Sequence, residues 1–247
     1  MDELNPPGNA SPWGVWATLG WMVLMIVSTV AASFIAVLPY LLWTGTPLNP
    51  ARMRPVLEAA VKNGDFLWIN YVITIPFLSA VLVLALFLRP QYPARLYLAL
   101  SNTSLKNWVL WPVALLLFSF GSDGLLYLLD VNPVDDWMVQ VYGSAACLPC
   151  LLIAVCLIAP VLEELVFRGF VFAGIQARLG PVWAVILSAL PWAVMHMQYQ
   201  EWYFKLIILL LGLLFGVARW RTNSLLVPLA MHVLQNSVAS VEMALFR

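Results

Sequence analysis

The chain has 247 residues, of which 63% are hydrophobic and 10% charged, with a mean hydropathy of +0.90. Soluble domains run at roughly 45–50% apolar and about 25% charged, so a soluble globular fold is excluded and a polytopic, all-α transmembrane helix bundle of about seven helices is expected. Twelve basic and twelve acidic side chains cancel, which excludes nucleic acid as a partner, since that needs a basic face to displace counterions.

Residues 1–247 read as one integral membrane domain with membrane lipids as its surroundings. The start, Met1 to Trp13, holds Asp2 and Glu3 but no Lys or Arg. It reads as a polar tail over 1–14 without the basic start and short apolar run of a signal peptide. A helix crossing the hydrocarbon needs about 20 mostly apolar residues. Intervals of that kind are Val15 to Leu42, Phe66 to Leu88, and Trp108 to Leu129, the last interrupted by Asp123. A fourth begins near Trp137 or Cys147 and is uncharged until Glu163; then follow about Val182 to Met197, Tyr203 to Ala218 and Leu225 to Phe246. Trp43, Trp108, Trp137, Trp183, Trp202 and Trp220 lie near these ends, where amphipathic rings prefer the headgroup level. Pro47 to Asn63, with Arg52, Arg54, Glu58 and Lys62, reads as an interfacial helix or a loop. Cys147-Leu-Pro-Cys150 has redox-motif spacing without a surrounding βαβ pattern. With Cys156 as the third cysteine, the expected role is packing in an apolar helix rather than a disulfide framework.

Seven spans place the N-terminus on one side with Arg89, Arg95, Lys106, Arg178, Arg219 and Arg221, against Arg52, Arg54, Lys62, Lys205 and Arg247 opposite. The opposite side also carries Asp130, Asp135 and Asp136 on one loop without a base. The expected orientation is therefore an N-terminus in the cytoplasm.

Polar groups that interrupt apolar spans carry the functional information, because ionisable residues cost roughly 2.5–3.5 kcal/mol at the bilayer centre on insertion scales. Glu163, Glu164 and Arg168 lie in Leu162-Glu-Glu-Leu-Val-Phe-Arg-Gly; His196 ends the fifth span; His232 and Asn236 fall in the seventh. Glu164 and Arg168 are four apart with the acid first, the favoured order for a structural ion pair. Glu163 is turned by about 100° from Glu164 on an ideal helix and faces another neighbour. A reversal near Leu179, Gly180 and Pro181 makes helices four and five a hairpin. Glu163 lies 17 residues before Gly180 and His196 lies 16 after it, so the two reach the same depth and are expected to meet. His232 and Asn236 share a helix face, at a somewhat shallower level when counted from the turn near Arg221 to Ser224. A carboxylate, two imidazoles and an amide in a dry cavity suit hydrolysis: Glu163 as general base on water, His196 holding that water or shuttling the proton, His232 and Asn236 donating to the oxyanion. Ser188 and Cys156 remain open as nucleophiles, and Asp123 is a lone acid near a cleft or a span end.

The order Glu-Glu-x-x-x-Arg, aromatic-x-x-x-His and His-x-x-x-Asn resembles the CPBP family of intramembrane proteases, which comprises CAAX prenyl endopeptidases and bacterial bacteriocin-processing and immunity (Abi) proteins. Here the motifs are Glu163-Glu164 with Arg168, Trp192 with His196, and His232 with Asn236, within a motif-bearing core over 147–247. The second motif usually begins with Phe, so Trp192 is a departure that keeps an aromatic wall. The resemblance implies a multi-pass protein of the bacterial plasma membrane that hydrolyses peptide bonds of membrane-associated substrates, CAAX-type prenylated ones among them. By this analogy Glu163 and His196 activate water while His232 and Asn236 stabilise the oxyanion. Glu163, His196 and His232 also make a candidate three-ligand set for zinc or another divalent metal, although the His-Glu-x-x-His spacing is missing; no required cofactor is the favoured reading. The competing function is a non-proteolytic membrane immunity or peptide-binding protein. A transporter would show repeats in two halves, whereas every motif here lies in the second half.

Overall fold

A computed structural model describes residues 11–245; most of the tail at 1–14, and Phe246 and Arg247, lie outside the described residues. Among the described residues there are ten helices and no strand. In chain order they are α1 (Val15–Trp43), α2 (Pro50–Ala60), α3 (Gly64–Phe87), α4 (Ala94–Tyr97), α5 (Leu105–Leu128), α6 (Asp136–Ser144), α7 (Leu148–Leu179), α8 (Pro181–Val194), α9 (Trp202–Thr222) and α10 (Leu226–Leu245). Short polar residues set several starts. Asn49 accepts from the Ala51 amide to open α2, Asn63 from Asp65 and Phe66 to open α3, and Asp135 from Trp137 to open α6, satisfying amides that the first helical turn leaves unpaired. The stretch Pro47 to Asn63 is thus helical over most of its length.

All seven long apolar segments of the sequence become helices, but among the described residues only α1, α3, α5, α7 and α9 are long and apolar enough to cross a membrane by themselves. Helix α8 has 14 residues, about 21 Å of rise against about 30 Å of hydrocarbon. Helix α10 has 20 residues and is diluted by His232, Gln235, Asn236 and Glu242. The two fall short for different reasons, α8 by its length and α10 by its polar residues.

The bundle is built around α7. Its most apolar window is 44% buried, compared with 17% for α1 and α5, whose Trp16, Phe34, Leu105 and Leu117 are exposed as lipid-facing residues should be. Phe167, Phe170, Phe172 and Ile175 of α7 are fully enclosed, and Tyr97 stacks on Phe170 at 5.1 Å between centroids. Gly180, at φ +81°, makes the reversal into α8 in a conformation that costs glycine little.

Cys147 and Cys150 form a disulfide, which corrects the expectation of simple packing. They flank the first turn of α7, and the helical turn brings their Cα atoms to 5.2 Å, within bridging range. The Asp65 carboxylate fastens this start by accepting from the amides of Ala146 and Cys147 at 3.1 and 3.2 Å.

Candidate active site

Two π-helical segments, Ala154–Ile158 and Leu165–Val171, flank Glu163 and Glu164 on α7. Wider turns of this kind re-aim the side chains beside them and recur at functional sites. Glu164 and Arg168 are both wholly buried, and the guanidinium donates to Glu164 Oε1 at 2.8 Å. Arg168 also donates to the Gly212 carbonyl at 3.0 Å and lies over the Trp192 ring at 4.7 Å. Gly212 is required there, because a Cβ would press on the Trp192 ring.

Glu164 has a second partner that spacing alone does not reveal. His232 Nδ1 lies 3.0 Å from the same Oε1. A carboxylate ionised beside Arg168 only accepts, so Nδ1 is the donor and the ring is held with Nε2 turned toward Glu163, 3.9 Å from its Oε2. Depth counting places His232 and Asn236 shallower than Glu163; the structure brings His232 to the same level. The α9–α10 turn is sunk into the bundle, with Ser224 and Leu225 fully buried and the Leu225 amide donating to the Ala99 carbonyl at 2.9 Å.

Glu163 and His196 reach one cavity without bonding each other directly among the described contacts. Glu163 Oε2 instead accepts from the indole N–H of Trp192 at 2.5 Å. Helix α8 ends at Val194, and His196 folds back on that end, its Nδ1 2.8 Å from the Trp192 carbonyl. Because a carbonyl only accepts, Nδ1 carries the proton and Nε2 keeps a lone pair. Asn236 uses one amide hydrogen on the Val155 carbonyl at 2.8 Å, tying α10 to the first π segment and leaving its second hydrogen available.

Glu163, His196, His232 and Asn236 line a cavity of about 190 Å³, together with Tyr71 of α3 and Tyr199. The cavity extends to Asp135 and Trp137 at the start of α6, the end of the bundle opposite Val15. Burial, helped by the nearby charges of Asp136 and Glu201, raises the Asp135 carboxyl above its ordinary pKa. Asp123 also lines the cavity, and it is not a lone acid, because Glu242 of α10 lies beside it. Ser188 is buried and bonded to the Val185 carbonyl, and Cys156 Sγ lies 3.4 Å from Ser240 Oγ; neither lines the cavity. Among the described residues no three His, Cys, Asp or Glu side chains are grouped to hold a metal ion. Glu163, His196 and His232 each spend a polar atom on protein: Glu163 on Trp192, His196 on the Trp192 carbonyl, His232 on Glu164.

Tyr71 and the donor role of Trp192 lie outside what motif reading finds. The available signal for Tyr71 is the polar run Asn70, Tyr71 and Thr74 inside an otherwise apolar span.

Residues 145–238 match the family model described as type II CAAX prenyl endopeptidase Rce1-like. The chain is 23% identical over 168 residues to the protein of Bacillus subtilis (strain 168) named "Putative membrane peptidase YdiL", covering 66% of this chain and 67% of that one. It is 26% identical over 224 residues to the membrane-embedded CAAX protease MroQ of Staphylococcus aureus (strain USA300), covering 83% of this chain and 86% of that one. No solved structure matches.

Proposed function

We propose, from the match of residues 145–238 to the Rce1-like type II CAAX prenyl endopeptidase family model, that this integral membrane protein is an endopeptidase. It hydrolyses peptide bonds of membrane-associated substrates, CAAX-type prenylated peptides among them. The observation that carries the reading is the convergence of Glu163 from α7, His196 from the turn after α8, and His232 and Asn236 from α10 on one cavity.

Glu163 removes a proton from a water whose other hydrogen is accepted by His196 Nε2. The resulting hydroxide oxygen adds to the scissile carbonyl carbon. The oxyanion receives hydrogen bonds from His232 Nε2–H and the free amide hydrogen of Asn236. Its collapse breaks the C–N bond, and the proton held by Glu163 passes to the leaving amine. With Nδ1–H on Glu164 and Nε2–H on the oxyanion, His232 is an imidazolium. Arg168 and His232 are then balanced by Glu163 and Glu164 before water is deprotonated and by Glu164 and the oxyanion afterwards, which limits the cost of charge in a dry interior. The scheme assigns no step to a metal ion. The protein lies in the bacterial plasma membrane with its N-terminus in the cytoplasm, so the cavity opens on the outer side near Asp135.

The test is cleavage, read by mass spectrometry, of a mixed library of prenylated and unmodified membrane-anchored peptides by protein in lipid. Wild type is expected to cleave with or without chelator. Glu163→Gln is expected to lose about 10²–10⁴-fold in rate, the usual worth of a general base, while still inserting and folding. Equal cleavage by both forms would remove Glu163 as the base, and loss with chelator would bring in a metal. An unchanged phenotype of Glu163→Gln in cells would favour the binding-only immunity role.

A further inference from the structure

Beside the catalytic cavity lies a second one of about 150 Å³, walled by α1, α3 and α7 and by the residues after α8. Met25, Asn70 and Thr74 line it and not the catalytic cavity, while Leu67, Tyr71, Glu163, His196 and Gln198 line both. Those five side chains therefore stand between the two spaces.

The α3 wall is polar where nothing in the fold uses the polarity. Thr74 is 3% exposed, and neither its hydroxyl nor the Asn70 Oδ1 has a hydrogen-bond partner. Hydroxyls inside helices commonly bond back to the carbonyl four residues earlier. Thr29, Ser33, Thr222 and Ser237 of this chain do so, and Thr74 does not. Buried polar groups without partners are rare in native structures and call for an ordered water or a ligand. Asn70 and Thr74 are four apart, one above the other on one helix face, offering two acceptors and one rotatable donor to the same space. A lipid chain would leave both unmet. The space has room for several ordered waters, each of which needs roughly 10–15 Å³ of it.

We propose that this second cavity is a resident water store, held by Asn70 and Thr74, from which water passes Tyr71 to reach Glu163. The inference rests on the reading of Glu163 as the base. Its physical sense is that a peptide entering from the Asp135 end fills the catalytic cavity and blocks bulk water, so the second reactant must already be inside.

The test is radiolytic hydroxyl-radical labelling of the full-length protein in nanodiscs, with thermal unfolding and library cleavage measured on the same forms. Met25 is 1% exposed and lines the store, while Met197 is 59% exposed and serves as control. Thioethers oxidise readily, so Met25 should be labelled only through water in the cavity. The double variant Asn70→Leu with Thr74→Val is expected to lose Met25 labelling and keep that of Met197. It should unfold at no lower temperature, since two unpaired polar groups are replaced by apolar ones. It should also lose kcat with KM unchanged, and Thr74→Ser should retain the label and the rate. Glu163→Gln should keep the label without cleaving, which separates failure of the store from failure of the base. An unlabelled Met25 in wild type, equal labelling in the double variant, or a dried cavity with unchanged kcat would each overturn the proposal. Absence of cleavage by every form counts against the protease reading and leaves the store to the labelling result.

Discussion

Trp192 serves the site with three different parts. Its indole N–H donates to Glu163, its ring carries the Arg168 guanidinium, and its carbonyl receives His196 Nδ1. Phenylalanine, the usual aromatic of the motif this chain resembles, would keep the wall and remove the donor. A hydrogen bond to a charged group is worth about 1.5–3 kcal/mol, so Trp192→Phe should lower cleavage by roughly one to two orders of magnitude with little change in unfolding temperature. Retention of full activity by Trp192→Phe would show that the indole N–H does not position the carboxylate. The adjacent carboxylates separate in the same way. Glu164→Gln strips the counter-charge from wholly buried Arg168, a change that costs about 3–5 kcal/mol, and should sharply lower the unfolding temperature in detergent. Glu163→Gln should not, because the Glu163 carboxylate binds no guanidinium and meets His232 Nε2 only at 3.9 Å.

At the scale of elements, α6 shapes the cavity mouth. Asp135 caps α6 through the Trp137 amide at 2.7 Å, yet its carboxyl is buried and its pKa raised, by burial first and then by Asp136 and Glu201. The charged form is thus held less well in the folded protein than in the unfolded chain. The penalty is absent below the unfolded pKa and grows as pH rises through the raised folded value. Asp135→Asn keeps an oxygen to cap Trp137 and removes the charge. A pH series of unfolding temperatures should decline across the range just above the ordinary carboxylate pKa in wild type and show a smaller decline in the variant; parallel curves would contradict this. The π segments of α7 belong to the same scale. They turn Val155 toward Asn236, a contact that an ideal 3.6-residue period would not specify.

At the scale of the molecule, one end holds Asp135, the cavity mouth and the Cys147–Cys150 disulfide, and the other holds Val15, Gly180 and the α9–α10 turn. A cytoplasmic N-terminus puts the disulfide outside, where oxidising conditions preserve it. In intact cells treated with an impermeant reductant, an impermeant maleimide should then label Cys147 and Cys150. A cysteine placed at Arg95 should react only after the cells are opened. The reverse pattern would invert the topology and place the cavity mouth in the cytoplasm.

Much of this protein is set by residue type along the chain. Apolar runs without charge must become helices in a membrane because the backbone has no other partner there. Charges such as Glu163, Glu164 and Arg168, and the polar His232 and Asn236, stand out in those runs because lipid penalises them. Gly180 likewise announces the α7–α8 reversal locally. What needed the tertiary structure are contacts between helices whose relative height and rotation no single helix specifies. The buried Ser224–Leu225 turn decides that His232 reaches Glu164 and faces Glu163. The early end of α8 decides that Glu163 bonds Trp192 rather than His196. The packing of α3 on α7 decides that Asn70, Tyr71 and Thr74 line a cavity together with Glu163. Helix formation is a local consequence of solvent and composition, whereas the site is a sum of small displacements between packed helices, which only the assembled bundle fixes.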